Sequence, residues 1–372
     1  MNRRHLLQSV AALTGARSLS AFGEVPRIVL GQSAPFSGPS QDLGDQFKAG
    51  AMLVFDAVNQ RGGVHGRHIE LRSLDDGDDP ERCAANTRRL IEDGAQALFG
   101  YVGTRTTLAA VPVLTAAKVP LVAPLTGADA LHAPFNRYLF HIRASYNDEA
   151  AEIAKQIVSV GTRRVAVFFQ NDDYGQADLS ALTSALRQHD LTPVSQGMVE
   201  RHSDNIIAPL HAVMAGKPDC IVQMAAHKSC AAFIRGARRT GYRGAFYSFS
   251  FVDSQALATD LHKDAGGVVV SQVVPFPFHG LTPLAGDYLQ HAKAAKAEVS
   301  YTGMEGFIAA RTMVEGLRRA GSEPTSASIV SGLESQNQLD LGGFFISFSN
   351  QRHAGSRYVD MTILTDDGKV MR

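Results

Sequence analysis

The feature that most constrains this chain is an alternation of short apolar strands with amphipathic helices, which runs from residue 27 to 123 and starts again at 163. Arg27–Ala34 reads as a strand, and the loop Pro35-Phe36-Ser37-Gly38-Pro39-Ser40 follows it. Phe47, Ala51, Val54, Phe55 and Val58 then fall on one helical face. His68–Leu74 is the next strand. Asp79-Pro80, an N-cap with proline at the first helical position, opens a helix to about Asp93. Ala97–Tyr101 and Pro120–Ala123 are strands on either side of a helix at Thr104–Lys118. Such alternation requires crossover connections, hence a mostly parallel sheet covered on both faces.

The second run opens with the buried strand Arg163–Gln170. Strands near 194–200, 218–225, 245–249 and 266–274 then alternate with helices near 173–188, 204–215, 228–240 and 254–262. Helices are predicted near 283–295 and 304–320, and Gly342–Ser349 and Arg357–Leu364 alternate like antiparallel strands. At 372 residues the chain has room for two such domains. The expected class is therefore α/β, with two similar doubly wound lobes.

Composition removes several functions. Lys+Arg and Asp+Glu both total 36, so no basic excess marks a nucleic-acid or anionic-membrane surface. The three cysteines, Cys83, Cys220 and Cys230, are too few for a disulfide framework or a zinc cage. Cys220 and Cys230 are read as buried thiols, with pairing in an oxidising compartment as the alternative. No apolar run reaches the roughly 18–20 residues of a membrane span. Residues 1–23 carry Arg3, Arg4 and Arg17 and no acid, and read as an export signal of twin-arginine type that Arg17 interrupts.

Catalytic signatures are missing. The first strand is not followed by Gly-x-Gly-x-x-Gly, and there is no phosphate-binding Gly-x4-Gly-Lys loop, His-Glu-x-x-His or Gly-x-Ser-x-Gly elbow. No catalytic residue, cofactor or metal is expected. The cluster Asp75, Asp76, Asp78 and Asp79 lacks calcium-loop spacing and is read as a solvated loop ending in a helix N-cap. What remains is a ligand cleft outside the carboxyl ends of the strands. In the first lobe those ends carry Ser37, then Gly103, Thr104 and Arg105 opening a helix, then Thr126 and Gly127. Small hydroxylated residues at a helix N-terminus make a seat for an anion, a carboxylate above all. Ordinary N-capping by threonine is the alternative. Arg105 opposes the helix dipole, so it either reaches a ligand or acidic neighbour or points into water. The second lobe offers Tyr174, Ala226, His227 and Ser250 at its strand ends. Tyr174 is suited to closing over an apolar ligand.

Pro35-Phe36-Ser37-Gly38-Pro39, Asn59–Arg67, Asp75-Asp76-Gly77-Asp78-Asp79-Pro80, Val119–Pro124, Asp173-Tyr174-Gly175 and Glu305-Gly306-Phe307-Ile308-Ala309-Ala310 occur in one order along residues 27 to about 318. In these motifs the chain resembles the periplasmic solute-binding proteins of branched-chain amino-acid and amide ABC importers, of the leucine/isoleucine/valine-binding type. The resemblance implies a type I periplasmic binding fold with a ligand cleft between lobes joined by three hinge crossovers, near 141–146, 272–277 and 350–357. It implies lobe I at 24–142 plus 275–352 and lobe II at 143–274 plus 353–372. It places the carboxylate-binding hydroxyl on Thr104, further contacts on Thr126 and Gly127, and the cleft tyrosine on Tyr174. It also marks departures. The acid that grips an α-ammonium falls on Ser250, and two site tyrosines fall on Leu43 and Ala226. A plain α-amino acid then requires Asp253 or Glu305 as a substitute.

The function so implied is capture of a small carboxylate-bearing or amide solute in the periplasm, as a monomer, and delivery to ABC transporter permease subunits in the inner membrane. The alternative is a sensing role, with the same trap docked on a signalling receptor.

Overall fold

The computed structural model describes residues 26–372, so the expected export signal lies outside the described residues. The first lobe is built from β1 (Arg27–Ala34), α1 (Gln41–Gln60), β2 (His68–Asp75), α2 (Pro80–Glu92), β3 (Ala97–Phe99), α3 (Thr104–Ala117), β4 (Leu121–Val122) and β5 (Leu139–Phe140). Its sheet has the order β2-β1-β3-β4-β5 and is parallel throughout. Asp79 caps α2 as its position before Pro80 predicts, accepting the Arg82 N–H at 2.7 Å.

The second lobe repeats the plan with α4 (Tyr146–Ser159), β6 (Val165–Gln170), α5 (Asp173–Arg187), β7 (Ser195–Val199), α6 (Ile207–Ala215), β8 (Cys220–Met224), α7 (His227–Arg239), β9 (Ala245–Ser248), α8 (Ser254–Leu261) and β10 (Val268–Gln272). The parallel part of its sheet runs β7-β6-β8-β9-β10, the same winding as in the first lobe. In each lobe the strand order reverses beside the first strand, between β1 and β3 and between β6 and β8. Such switch points leave a crevice at the carboxyl ends, where ligands bind.

The chain then returns to the first lobe with α9 (Pro283–Ala295), α10 (Tyr301–Ala320), α11 (Ser326–Glu334) and the short antiparallel pair β11 (Leu339–Asp340) and β12 (Phe345–Ile346). It ends in the second sheet, where β13 (Asp360–Leu364) lies antiparallel to β10 and β14 (Val370–Met371) lies against β13. The chain therefore passes between the lobes three times. The α1 face foreseen from its periodicity packs on α10, whose Phe307, Ala310, Val314 and Leu317 are buried with Phe47, Ala51, Val54 and Phe55. The contact is close enough that a Cβ on Gly50 would lie 1.8 Å from the Gly303 carbonyl oxygen, and one on Gly306 would lie 2.0 Å from that of Phe47.

Three expectations change. In the C-terminal alternation only Phe345–Ile346 and Asp360–Leu364 form strands, because Gly342 and Gly343 turn the chain between β11 and β12 at positive φ. The acidic loop after β2 is not uniformly solvated. Asp76 is fully buried, accepting from Ser33 Oγ at 2.8 Å, and burial pushes its carboxyl up to about 6. Asp78 is buried against Arg201. The helix predicted near 304 begins one turn earlier, at Tyr301, where Ser300 accepts the Gly303 N–H at 3.0 Å. All three cysteines are buried free thiols, and burial pushes Cys220 and Cys230 up to about 12. Among the described residues no helix is long and apolar enough to cross a membrane.

Candidate functional site

Three small adjoining cavities lie between the lobes at the two switch points. They measure about 30, 20 and 10 Å³, and Phe251 lines all of them. A larger concavity of about 330 Å³ lies on the outer face of the first lobe, against α1 and α10. The cleft, not that groove, gathers the strand-end residues.

The first-lobe wall of the 30 Å³ cavity is Ser40, Asp78, Gly103, Thr104 and Arg105. Gly103 has φ +96, a left-handed turn that only glycine adopts without strain, and it delivers the chain from β3 into α3. The first turn of α3 has no side-chain cap. Thr106 and Thr107 donate instead to the carbonyls of Val102 and Gly103, at 2.5 and 2.7 Å. Thr104 Oγ1 lies 2.8 Å from Thr126 Oγ1 and is buried. The alternative of plain threonine capping is therefore not what the structure contains. The first backbone N–H groups of α3 have no intrahelical partner, and two hydroxyls sit beside them. The helix dipole favours negative charge there.

The opposing wall is Tyr174, Gln170, Asp172, Arg201, His202 and Ala226. Tyr174 is buried, its ring 4.7 Å from that of Phe251 and 5.8 Å from that of Tyr146. Helix α7 also starts at the cleft without a side-chain cap, and His227 in its first turn lines the 20 Å³ cavity, 3.9 Å from Asp260. Arg105 spans the cleft toward Asp173 at 3.9 Å, which resolves its odd position in favour of an acidic neighbour.

The lobes are also tied at the mouth. Arg201 of the second lobe pairs with Asp78 of the first and lies 3.7 Å from Asp172. His202 Nε2 is 3.6 Å from the same Asp78 carboxylate, and burial together with Arg201 holds its pKa below the usual value. Gln46 Nε2 donates across the cleft to Asp253 Oδ2 at 2.9 Å. Replacing Arg201 with alanine is expected to remove about 1 kcal/mol from the closed arrangement. Small-angle X-ray scattering should then show a larger radius of gyration for the variant. An unchanged radius would show that the pair contributes nothing to closure.

Behind the 10 Å³ cavity, at the first crossover, lies a charged network. Arg143 is buried and holds Ser250 Oγ, with Glu149 at 3.5 Å and Glu305 at 3.6 Å. Glu149 is saturated: it accepts from Ser250 N at 2.8 Å, Ser250 Oγ at 2.9 Å and Ser271 Oγ at 2.6 Å. Deeper in the second lobe, burial and the Glu149 charge push the Asp178 carboxyl well above its usual value. Burial likewise pushes Glu305 up to about 7, against the pull of Arg143.

The family described as periplasmic binding protein matches this chain over residues 27–369. The chain belongs to that family. Its members are solute-binding proteins, not enzymes. The chain is similar to Leu/Ile/Val-binding protein homolog 3 of Brucella melitensis biotype 1, at 23% identity over 370 residues and 98% of each chain. Among solved structures it is similar to a possible leucine/isoleucine/valine-binding protein from Rhodopirellula baltica SH 1, with TM-score 0.88, 28% identity and coverage of 94% of this chain and 97% of that one. It is also similar to a substrate-binding periplasmic protein from Ralstonia solanacearum, with TM-score 0.87, 29% identity and coverage of 92% and 99%.

Of the residues singled out from the sequence, Gly103, Thr104, Arg105, Tyr174, Ala226, His227 and Ser250 line the cleft cavities. Thr126 stands directly behind Thr104. Gly127 lies under Tyr146, whose ring would be 2.8 Å from a Cβ there, and does not line the three cleft cavities. Ser37 is exposed and donates to Asp75 Oδ2 at 2.6 Å, away from the cavities. Arg143, Glu149, Arg201 and Phe251 were not foreseen. Each meets its partners only through the fold, and Phe251 next to Ser250 was the one legible hint.

Proposed function

We propose that this protein is an extracytoplasmic binding protein that captures a small carboxylate-bearing or amide solute by hinge closure and delivers it to the permease of an ABC importer. The observation that carries the reading is the uncapped start of α3 with Thr104 and Thr126 beside it, facing Tyr174 across a two-lobe cleft. A carboxylate there accepts backbone N–H and hydroxyl hydrogen bonds at a favourable dipole end, and Tyr174 and Phe251 cover its apolar part. Closure buries the solute between faces that a membrane partner reads only when they come together. The likeness to leucine/isoleucine/valine-binding proteins supports a branched-chain guest and the periplasm as location; an aromatic acid as guest and action as a monomer belong to the same proposed reading.

The test is thermal unfolding of the purified protein with branched-chain and aromatic amino acids, their deaminated acids and short amides. A guest at a hundredfold excess over its Kd adds about 2.7 kcal/mol, a rise of several degrees. In the Thr104→Ala variant, affinity for a carboxylate guest is expected to fall about tenfold, for loss of one hydrogen bond to a charged group. Full affinity in that variant would remove the anion seat from the account.

A further inference from the structure

We propose that the groove on the outer face of the first lobe is a second binding site, separate from the cleft. It takes a small amphipathic carboxylate, with an aliphatic chain on the groove floor and the head group between Arg61 and Arg318. The inference goes beyond the solute-binding reading and does not depend on it.

The groove runs between α1, α9, α10 and β11 and measures about 330 Å³, against 30 Å³ or less for each cavity of the cleft. Pockets of that scale hold small organic molecules. Its floor is Val54, Val58, Phe307, Val314, Leu339 and Leu341. Val54, Phe307, Val314 and Leu341 also belong to the first lobe's core, so the floor is held in place from below. Phe307 supplies the floor's phenyl ring, and that ring is already engaged. The His291 ring centroid lies 5.6 Å and the Arg311 guanidinium 5.8 Å from its centroid. The wall left for a guest is branched and aliphatic, which suits a saturated chain.

The rim decides the sign of the head group. Asp287, Glu315 and Asp340 line it, and each is answered within the protein. Asp287 Oδ2 accepts from Arg311 at 2.7 Å, and Glu315 Oε1 accepts from Arg319 at 2.8 Å. Asp340 Oδ1 accepts the N–H groups of Gly342 and Gly343 at 2.8 and 2.7 Å. His291 Nδ1 lies 2.9 Å from the Asp287 carbonyl oxygen. The cations left over are Arg61 and Arg318. Arg61 makes no side-chain hydrogen bond or ion pair among the described residues. The Arg318 side chain is 57% exposed and stands 3.6 Å from a Glu315 that Arg319 already holds. Both lie at one end of the groove, because α1 and α10 finish side by side: His65, just past α1, places Nε2 2.9 Å from the Arg318 carbonyl oxygen.

The two helix C-termini there carry about half a negative charge each. Two full guanidinium charges stand against them, so about one positive charge is left for a guest. A carboxylate matches it, since its two oxygens fit the fork of a guanidinium. Val54, Phe307 and Val314 are less than a tenth exposed, so the floor lies below the charged rim. A single chain reaches it, and the flat surface of a bilayer does not. Affinity is therefore expected to fall as salt is raised, because the head group is held by exposed charges.

The experiment is calorimetric titration with octanoate, octan-1-ol and octylamine of wild type, of the double variant Arg61→Ala with Arg318→Ala, and of Thr104→Ala. Wild type should bind octanoate in preference to the alcohol and the amine. The arginine variant should weaken octanoate at least tenfold, for loss of two charged donors. Both arginines are exposed, so this variant should keep the wild-type Tm, which shows that it is folded. Thr104→Ala should leave octanoate within twofold. Unchanged octanoate affinity in the arginine variant overturns the proposal. A loss in Thr104→Ala alone also overturns it, by placing octanoate in the cleft, and leaves the solute-binding reading intact. Octan-1-ol or octylamine binding as tightly as octanoate overturns the anionic head group. No binding of octanoate by wild type overturns the site. Wild type is also sedimented with phosphatidylglycerol vesicles. Vesicle binding that the arginine variant loses and octanoate does not compete away assigns the arginines to a lipid surface and overturns the proposal.

Discussion

Replacing Arg143 with methionine is expected to destabilise the protein by about 3–5 kcal/mol, the usual cost of leaving a buried carboxylate without its cation. The side chain of Arg143 is 1% exposed and that of Glu149 0%, so neither partner can turn to water. At 2–4 °C per kcal/mol this is a fall of roughly 6–20 °C in Tm, measured by thermal unfolding. The loss should be partly reversed in the double variant with Glu149→Gln, since the orphaned charge is then gone as well. A single variant as stable as wild type would contradict a structural role for the Arg143–Glu149 pair.

The second large effect is at the contact of α1 and α10. Gly306→Ala should cost about 3 kcal/mol, because the added Cβ meets the Phe47 carbonyl at 2.0 Å and both groups are backbone of packed helices. Gly50→Ala meets the Gly303 carbonyl at 1.8 Å and should cost as much. The control is Gly286→Ala in α9, where a Cβ meets nothing within 4 Å. There, alanine should stabilise by about 0.5–1 kcal/mol through helix propensity and a less flexible unfolded chain. Equal responses at Gly306 and Gly286 would contradict the close packing. Because α10 also carries Glu305, a displaced helix should weaken guest binding together with stability.

The Glu305–Ala310 motif shows what a sequence conveys and what it withholds. Its glycine is visible as a pattern, and its apolar residues as a helical face. That the glycine exists to admit the backbone of α1 depends on a partner more than two hundred residues away. The strand–helix alternation is legible because each strand and helix has to bury one face, and that requirement is local. Asp79-Pro80 is legible for the same reason. Tyr146–Ser159 was not announced by the alternation, although Ser145 and Asp148 form a capping box at its start. It matters because it brings Glu149 to Arg143.

The site divides along the same line. Thr104, Arg105 and Tyr174 follow strands directly, so the crevice rule finds them. Arg201 and Asp78 are each ordinary charged loop residues, and only the approach of two lobes makes them a pair. Asp76 sits in a run of four acids that reads as solvated, yet the β1–β2 pairing buries it beneath Ser33. Ser37 has the composition of a ligand residue and spends its hydroxyl on Asp75. Residue type and strand order together find the seat, while charge pairing across the cleft lies outside what local pattern contains.

The proposed trap stands on closure around a guest, and a distance across the cleft mouth measures that most directly. Asp42 and Lys228 are exposed on opposite sides of the mouth, beside the cavity that Leu43 and His227 line. The three native cysteines are buried, so Asp42→Cys and Lys228→Cys can carry spin labels selectively. Double electron–electron resonance would be recorded without guest and with whichever panel acid raises Tm. A broad or long distribution without guest is expected to narrow to one short distance when the acid is added, and to stay broad in Thr104→Ala. The same distribution with and without a stabilising guest would contradict it.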